Sequence, residues 1–201
     1  PIRREIARKT IEKLMEDGRV HPARIEEVVE KVRVDLNKSI RDEGEKVCVE
    51  LGLTNVHQEI MKAVGSLKYR HTHTQNALNH CMEVAQLSGI MAGELGVNVK
   101  LARRAGLLHD IGKAVDHTVE GNHALVGAEF ARKFGEVEAV CHAIRAHHND
   151  EKPNSLLAHI VQAANLMSGH RPGARRPGMD NYINRLMDLE KHVFCFQFLY
   201  T

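Results

Sequence analysis

Between Ala105 and Lys113 the chain reads AGLLHDIGK, an apolar run that meets His109, Asp110 and Lys113 within five residues. An imidazole beside a carboxylate at the end of a core-forming stretch is costly, because a buried carboxylate loses its solvation unless something positive compensates it. A metal ion is the natural compensation. A histidine with a carboxylate suits a first-row divalent cation such as manganese, iron or zinc. Such an ion needs further ligands, and the chain has 14 histidines to supply them.

Five consecutive segments with helical periodicity each carry a polar interruption of their apolar face. In NALNHCMEVAQLSGIMAGEL the stripe of Ala77, Val84, Leu87 and Met91 includes His80. VKLARRAGLLHD turns Leu101, Ala105 and Leu108 inward and ends on His109 and Asp110, where a helix end lets both side chains converge on one ion. NHALVGAEFARKFG opens with His123 ahead of Val126, Phe130 and Phe134. VEAVCHAIRAHHND buries Val137, Val140, Cys141 and Ile144 and reaches His147 and His148 one turn later. SLLAHIVQAANLMSG sets Asn165 in the stripe of Leu157, Ile160, Val161 and Ala164. A lone histidine on an apolar face is usually a satisfied core residue. The ordered series across five neighbouring helices has few such explanations.

Three further segments complete the frame. Ile6, Ile11 and Leu14 mark an amphipathic helix over residues 2–15, ended by DGRVHP. A long charged helix over 23–50 carries Ile25, Val28, Val29, Val32, Leu36, Ile40 and Val47 on one face. Residues 51–75 predict a short helix between loops, and GMDNYINRLMDLEKH predicts a last helix. Strand alternation occurs only in FCFQFLY, where Phe194, Phe196, Phe198 and Tyr200 share one face. The fold class is therefore all-α.

Composition narrows the function. With 28 Lys and Arg against 26 Asp and Glu, the net charge of +2 gives no global attraction to nucleic acid or membrane, so any such binding must be local. The four cysteines form no CxxC pair, which argues against a zinc knuckle or a secreted disulfide framework and for an intracellular, reduced chain. No run of 18 apolar residues is present. The start on Pro1 rather than Met raises the expectation of a piece of something longer.

The ligand series resembles the HD superfamily of metal-dependent phosphohydrolases, in the form with extra histidines that holds two metals. DGRVHPARIEE, ELGVNVKLARRAGLLHDIGKAVDHTVEGNHALVGAEFARKFGE and RPGARRPGMDNYINRLMDLEK resemble the ribonuclease Y family almost residue for residue, over roughly residues 1–191. That family is understood as an endoribonuclease with a membrane anchor, a coiled coil, an RNA-binding KH domain and an HD domain. Only the last, with its preceding helical segment, matches this chain, so the KH domain is expected to be absent from it. The resemblance implies an HD-domain helical bundle, residues 66–192, after an N-terminal helical segment, residues 1–65, and before an unmatched apolar tail, residues 193–201.

Carried over by position, it makes His80, His109 and Asp110 metal ligands, with Asp110 bridging two ions, and His123, His147 and His148 the additional ligands. Lys113 is placed to meet a phosphate oxygen. The cofactor it implies is a divalent metal (manganese, magnesium, zinc or iron), with places for two ions. The family pattern expects an aspartate where Asn165 stands; an amide oxygen ligates a hard cation but brings no charge, which weakens metal binding. His71 and His73 in YRHTHTQN, and His170, also depart from the pattern.

Phosphodiester hydrolysis by such a site uses a coordinated water as nucleophile, Asp110 to position or deprotonate it, and a second ion or Lys113 to neutralise the phosphate. Arg171, Arg175 and Arg176 cluster after the Asn165 helix, where guanidinium forks could hold RNA phosphates. The leading expectation is a phosphodiesterase of single-stranded RNA. The alternatives are an HD phosphohydrolase of small nucleotides, and a weakened HD domain that serves as a dimerisation or binding module because of Asn165. A homodimer is expected through the long charged helix and the apolar tail. The fragment itself is expected to make no membrane contact and to be cytoplasmic, with the complete family protein at the cytoplasmic face of the membrane.

Overall fold

A computed structural model describes residues 1–18, 21–72, 75–115 and 122–171. The predicted helix in residues 178–192, the alternating tail, and His73, Arg175 and Arg176 lie outside these residues. Among the described residues the chain forms α1 (Ile2–Asp17), α2 (Pro22–Glu50), α3 (Gln58–Ser66), α4 (Ala77–Glu94), α5 (Val99–Leu108), α6 (His123–Lys133), α7 (Glu138–Ala146) and α8 (Leu156–His170). Short 3-10 turns follow α3 (Leu67–Tyr69) and α5 (Ile111–Ala114). The only sheet among them is a two-residue ribbon, β1 (His71–Thr72) antiparallel to β2 (Gln75–Asn76). The all-α reading holds, and no helix described is long and apolar enough to cross a membrane.

Local sequence starts these helices where the chemistry needs them. Asn76 caps α4 through Leu78 N and Asn79 N, Asn98 caps α5, Asn122 caps α6 and Ser155 caps α8, each side-chain oxygen accepting an otherwise orphaned backbone N–H. The helices thus begin within a residue or two of the positions expected from periodicity. Two apolar expectations fail. Ile11 is 58 % exposed, since α1 packs chiefly on α2 through Leu14, Val28 and Val32, and Thr10 takes the inward place. Val137 is 54 % exposed because it is the N-cap of α7, ahead of the first turn whose stripe it was expected to join.

The main core is one apolar cluster that runs from Val47 and Cys48 of α2, through Ile60 and Val64 of α3, to Ala158 and Val161 of α8. It continues across residue 65. Glycine allows α2 and α3 to touch at the backbone: a Cβ on Gly65 would lie 1.9 Å from Ile40 O, and one on Gly44 1.9 Å from Met61 O. The bidentate pair of Arg104 with Glu136, at 2.6 and 2.7 Å, closes the other end, with Arg104 also donating to Thr54 O and Asn55 O.

Gly65 and Gly93 provide a test of this packing. Gly65→Ala should lower unfolding stability by about 3 kcal/mol because backbone, and not a flexible side chain, must yield. Gly93→Ala meets nothing nearer than Val99 at 3.8 Å and should be neutral or stabilising, by up to about 1 kcal/mol from helix propensity. Urea unfolding of both variants measures the contrast.

Candidate metal centre

Two helix ends build the site by the same device. His109 is the C-cap of α5 and His147 the C-cap of α7. In each, the ring Nδ1–H donates to the carbonyl three residues back, Gly106 O at 2.8 Å and Ile144 O at 2.6 Å. The bond satisfies a last-turn carbonyl and fixes the tautomer, so that Nε2 turns its lone pair away from the helix. Both rings are buried, and both Nε2 atoms lack a hydrogen-bond partner. The C-terminal ends of α5 and α7 also bring their partial negative charge to this point, which favours a cation.

Asp110 follows His109 directly and is 2 % exposed. Its two oxygens face different partners. Oδ2 lies 3.5 Å from His109 Nε2 and 3.9 Å from His80 Nε2, while Oδ1 lies 3.3 Å from His123 Nε2 and 3.6 Å from His147 Nε2. His148, its ring tilted 44° against that of His147 with centroids 4.1 Å apart, borders the second group. The chain thus presents two clusters, His80–His109–Asp110 and Asp110–His123–His147–His148, that share one carboxylate.

The next residues explain how His123 arrives. After Asp110 the 3-10 turn brings Gly112 against the start of α6, where a Cβ would meet His123 O at 1.9 Å. Gly127 of α6 faces Gly112, where a Cβ of its own would fall 2.8 Å from Gly112 N. The IGK half of AGLLHDIGK is therefore a packing requirement that seats α6 beside the carboxylate. Lys113, one turn on, donates to Asp110 Oδ2 at 2.6 Å.

A third layer holds His80. Ser168 of α8 donates its hydroxyl to Glu83 Oε2 at 2.7 Å, so its Oγ accepts from His80 Nδ1–H at 2.8 Å. This relay leaves the lone pair on His80 Nε2, 3.1 Å from Asn165 Oδ1. A neutral histidine in this tautomer has no proton there to give the amide oxygen. Both atoms are instead oriented as two donors toward a cation.

The donor set fits a divalent metal. Among the described residues seven buried side-chain polar atoms have no hydrogen-bond partner, and His109 Nε2, Asp110 Oδ1, His123 Nε2 and His147 Nε2 are four of them. Such atoms are rare in native folds unless an ion or water meets them. Donors each about 2.1 Å from one ion lie roughly 3.0 to 3.4 Å apart, close to most of the separations around Asp110. Protonation states agree. Burial pushes the His109 imidazole down to about 3 and that of His148 down to about 4, and it lowers His80 as well. Burial opposes ionisation of Asp110, yet its neighbours, Lys113 among them, hold its carboxyl well below the usual range. His80, His109 and His148 are therefore neutral imidazoles and Asp110 an ionised carboxylate at neutral pH, the forms that bind metal.

Every ligand position named from sequence falls in this cluster: His80, His109, Asp110, His123, His147, His148 and Asn165 all converge, and Lys113 joins them. Arg171 lies at the end of α8 and pairs with Glu83 Oε1 at 2.6 Å, beside the relay and away from the carboxylate. His71 sits on β1 and His170 bonds Leu166 O, both outside the cluster. Ser168 and Glu83 escaped the sequence reading. Their signal was available, since Glu83 lies three residues after His80 and Ser168 three after Asn165, on the same helix faces. His142 was also missed; it is buried, bonds Glu151 at 2.8 Å and accepts from Asn154 N, thereby tying down the loop that follows His148.

The stretch from His80 to Asn165 lies in a region similar to known proteins. The HD domain family matches residues 77–168. Ribonuclease Y 1 of Bdellovibrio bacteriovorus is 65 % identical over 190 residues, covering 94 % of this chain and 36 % of that protein. Ribonuclease Y of Pelobacter propionicus is 58 % identical over 196 residues, and that of Geobacter sulfurreducens 57 % over 191, covering 98 % and 95 % of this chain and 38 % and 37 % of theirs. The chain spans little more than a third of these relatives. A solved structure described as a predicted HD superfamily hydrolase from an uncultured Thermotogales bacterium is 21 % identical, covers 69 % of this chain and 92 % of its own, and superposes with a TM-score of 0.46.

Removing the hydroxyl that orients His80 should weaken metal binding without unfolding the chain: Ser168→Ala is expected to lower manganese affinity by about 10- to 100-fold in calorimetric titration. With metal chelated, stability should fall in acid. His109 binds fewer protons folded than unfolded, so its contribution is complete above about pH 6.5 and is lost as the pH falls toward 3, with Asp110 adding the same sign at the acid end. Urea midpoints measured from pH 7 to 4 should decline, and less steeply in His109→Gln.

Proposed function

Because the chain belongs to the HD-domain proteins of the ribonuclease Y family, we propose that it is a metal-dependent phosphodiesterase that hydrolyses single-stranded RNA. The observation that carries this reading is the shared carboxylate: Asp110 turns one oxygen to each of two imidazole groups. A carboxylate so placed suits two cations at one phosphodiester, and the names of the relatives supply RNA as the substrate class.

His80, His109, Asp110 and Asn165 would hold one ion, and Asp110, His123, His147 and His148 the other. The ions would supply Lewis acidity toward the phosphate and lower the pKa of water at the site. The residues do the rest. Asp110 stays ionised under the influence of its neighbours and can accept a proton at either oxygen. Lys113 is about a quarter exposed, so its ammonium reaches from Asp110 to the mouth of the site, where it donates to a non-bridging phosphate oxygen. Ser168 and Glu83 keep His80 in one tautomer throughout. Arg171 can add a phosphate contact at the rim, with its partner Glu83 linking that contact to the ligand relay.

A weakened centre is a second reading, supported by Asn165, whose neutral oxygen stands at His80 where a charged ligand would bind more tightly. Two substitutions separate the possibilities in an RNA cleavage assay with added manganese. Asp110→Ala should abolish cleavage, by at least about 1,000-fold, and Asn165→Asp should tighten metal binding by about tenfold. Cleavage of mononucleotides but not oligonucleotides would instead favour the small-nucleotide phosphohydrolase. Activity that appears only in Asn165→Asp would favour a binding module.

A further inference from the structure

A second feature opens beside the metal centre and has no part in holding metal. It is a cavity of about 640 Å³ between the start of α1 and the segment after α3, lined by Arg4, Lys68, Tyr69, Arg70, His71 and, at one edge, Lys113. Four of these side chains are cationic. Among the described lining residues the one carboxylate, Glu5, is engaged by Arg8 at 2.6 and 3.0 Å. Lys68 is exposed and braced by Glu43 at 2.7 Å, an arrangement that holds its ammonium in place at the wall. Tyr69 adds a half-buried aromatic ring.

We propose that this cavity binds the stretch of single-stranded RNA next to the phosphate being cleaved. The inference rests on the RNA reading above. Its basis is continuity: Lys113 lines the cavity and also contacts Asp110, so one polyanion can lie with a phosphate at the metal centre and its neighbours against Arg4, Lys68 and Arg70. Guanidinium and ammonium groups hold phosphates without reading sequence, and an aromatic ring offers a stacking surface to any base. A mononucleotide would end at Lys113 and gain nothing from the cavity, so the feature favours chains over single nucleotides. Arg4 comes from α1, outside residues 77–168, which gives the N-terminal helix a role in substrate binding.

The test is binding of a fluorescently labelled oligouridylate to the whole chain, with metal chelated to prevent cleavage, across a salt series. Arg4 and Lys68 are both exposed, so Arg4→Ala/Lys68→Ala should fold as the parent does, with its thermal midpoint as the check. Affinity should fall about tenfold, and the slope of log K against log salt should flatten by about 1.4, the value for two lost phosphate contacts on a single strand. An unchanged affinity and slope would overturn the cavity assignment, as would a loss of binding to anionic lipid vesicles with oligouridylate binding intact. Manganese-dependent cleavage of the same oligonucleotide by the parent chain is measured alongside. Cleavage present with an unchanged slope overturns the cavity alone; a flattened slope with no cleavage supports the cavity and overturns the nuclease reading alone.

Discussion

Asp110 is buried among the ring nitrogens of His80, His109, His123 and His147, and the surrounding backbone adds the negative ends of two helices. Among the described residues Lys113 brings it a full positive charge, at Oδ2. Burying an ionised carboxylate carries a desolvation cost that cationic neighbours must offset. Much else in the chain is arranged around this condition. Three of the four ring nitrogens that face Asp110 are turned toward it by hydrogen bonds made on the opposite side of the ring, from His109 to Gly106, His147 to Ile144 and His80 to Ser168. These bonds are internal to the fold and do not depend on an ion, so the chain pre-forms the ligand geometry and leaves the charge to be supplied.

Bringing five helices and a 3-10 turn to one point requires close approach, and small residues permit it. Gly112 and Gly127 let the turn and α6 meet at the backbone, and Gly106 does the same for α5 against Ala85 of α4. A side chain at any of these positions would displace a ligand as well as strain the packing. The cost of such precision is carried by the large apolar core beneath it, which extends through α3 into α2 and makes the N-terminal segment part of the support.

The candidate ligands were legible in the sequence because each broke an apolar stripe or stood at the end of one, a local signal that survives without knowledge of the fold. His80, His109 and Asn165 illustrate this best. Ser168 and Glu83 were not legible in the same way: a serine in a helical stripe reads as a tolerated small residue, and its meaning depends on a contact with His80 across 88 positions of sequence. Val137 and Ile11 failed for a different reason. Periodicity says which residues share a face but not where a helix starts or whether a second neighbour covers that face, and here the N-cap position and the exposed side of α1 decided the outcome. The basic cavity was invisible because its walls come from α1, the turn after α3 and Lys113, three segments with no common motif.

Asn165 gives the centre its remaining tension. Among the described residues one carboxylate, Asp110, faces both groups and a second, Glu83, reaches His80 only through Ser168, so two ions would have to share Asp110 closely. Electron paramagnetic resonance of the manganese-loaded chain tests that sharing most directly. A carboxylate-bridged pair predicts an exchange-coupled spectrum that appears as the second equivalent of manganese binds and is absent from Asp110→Ala. A spectrum of isolated manganese ions at full loading would contradict it.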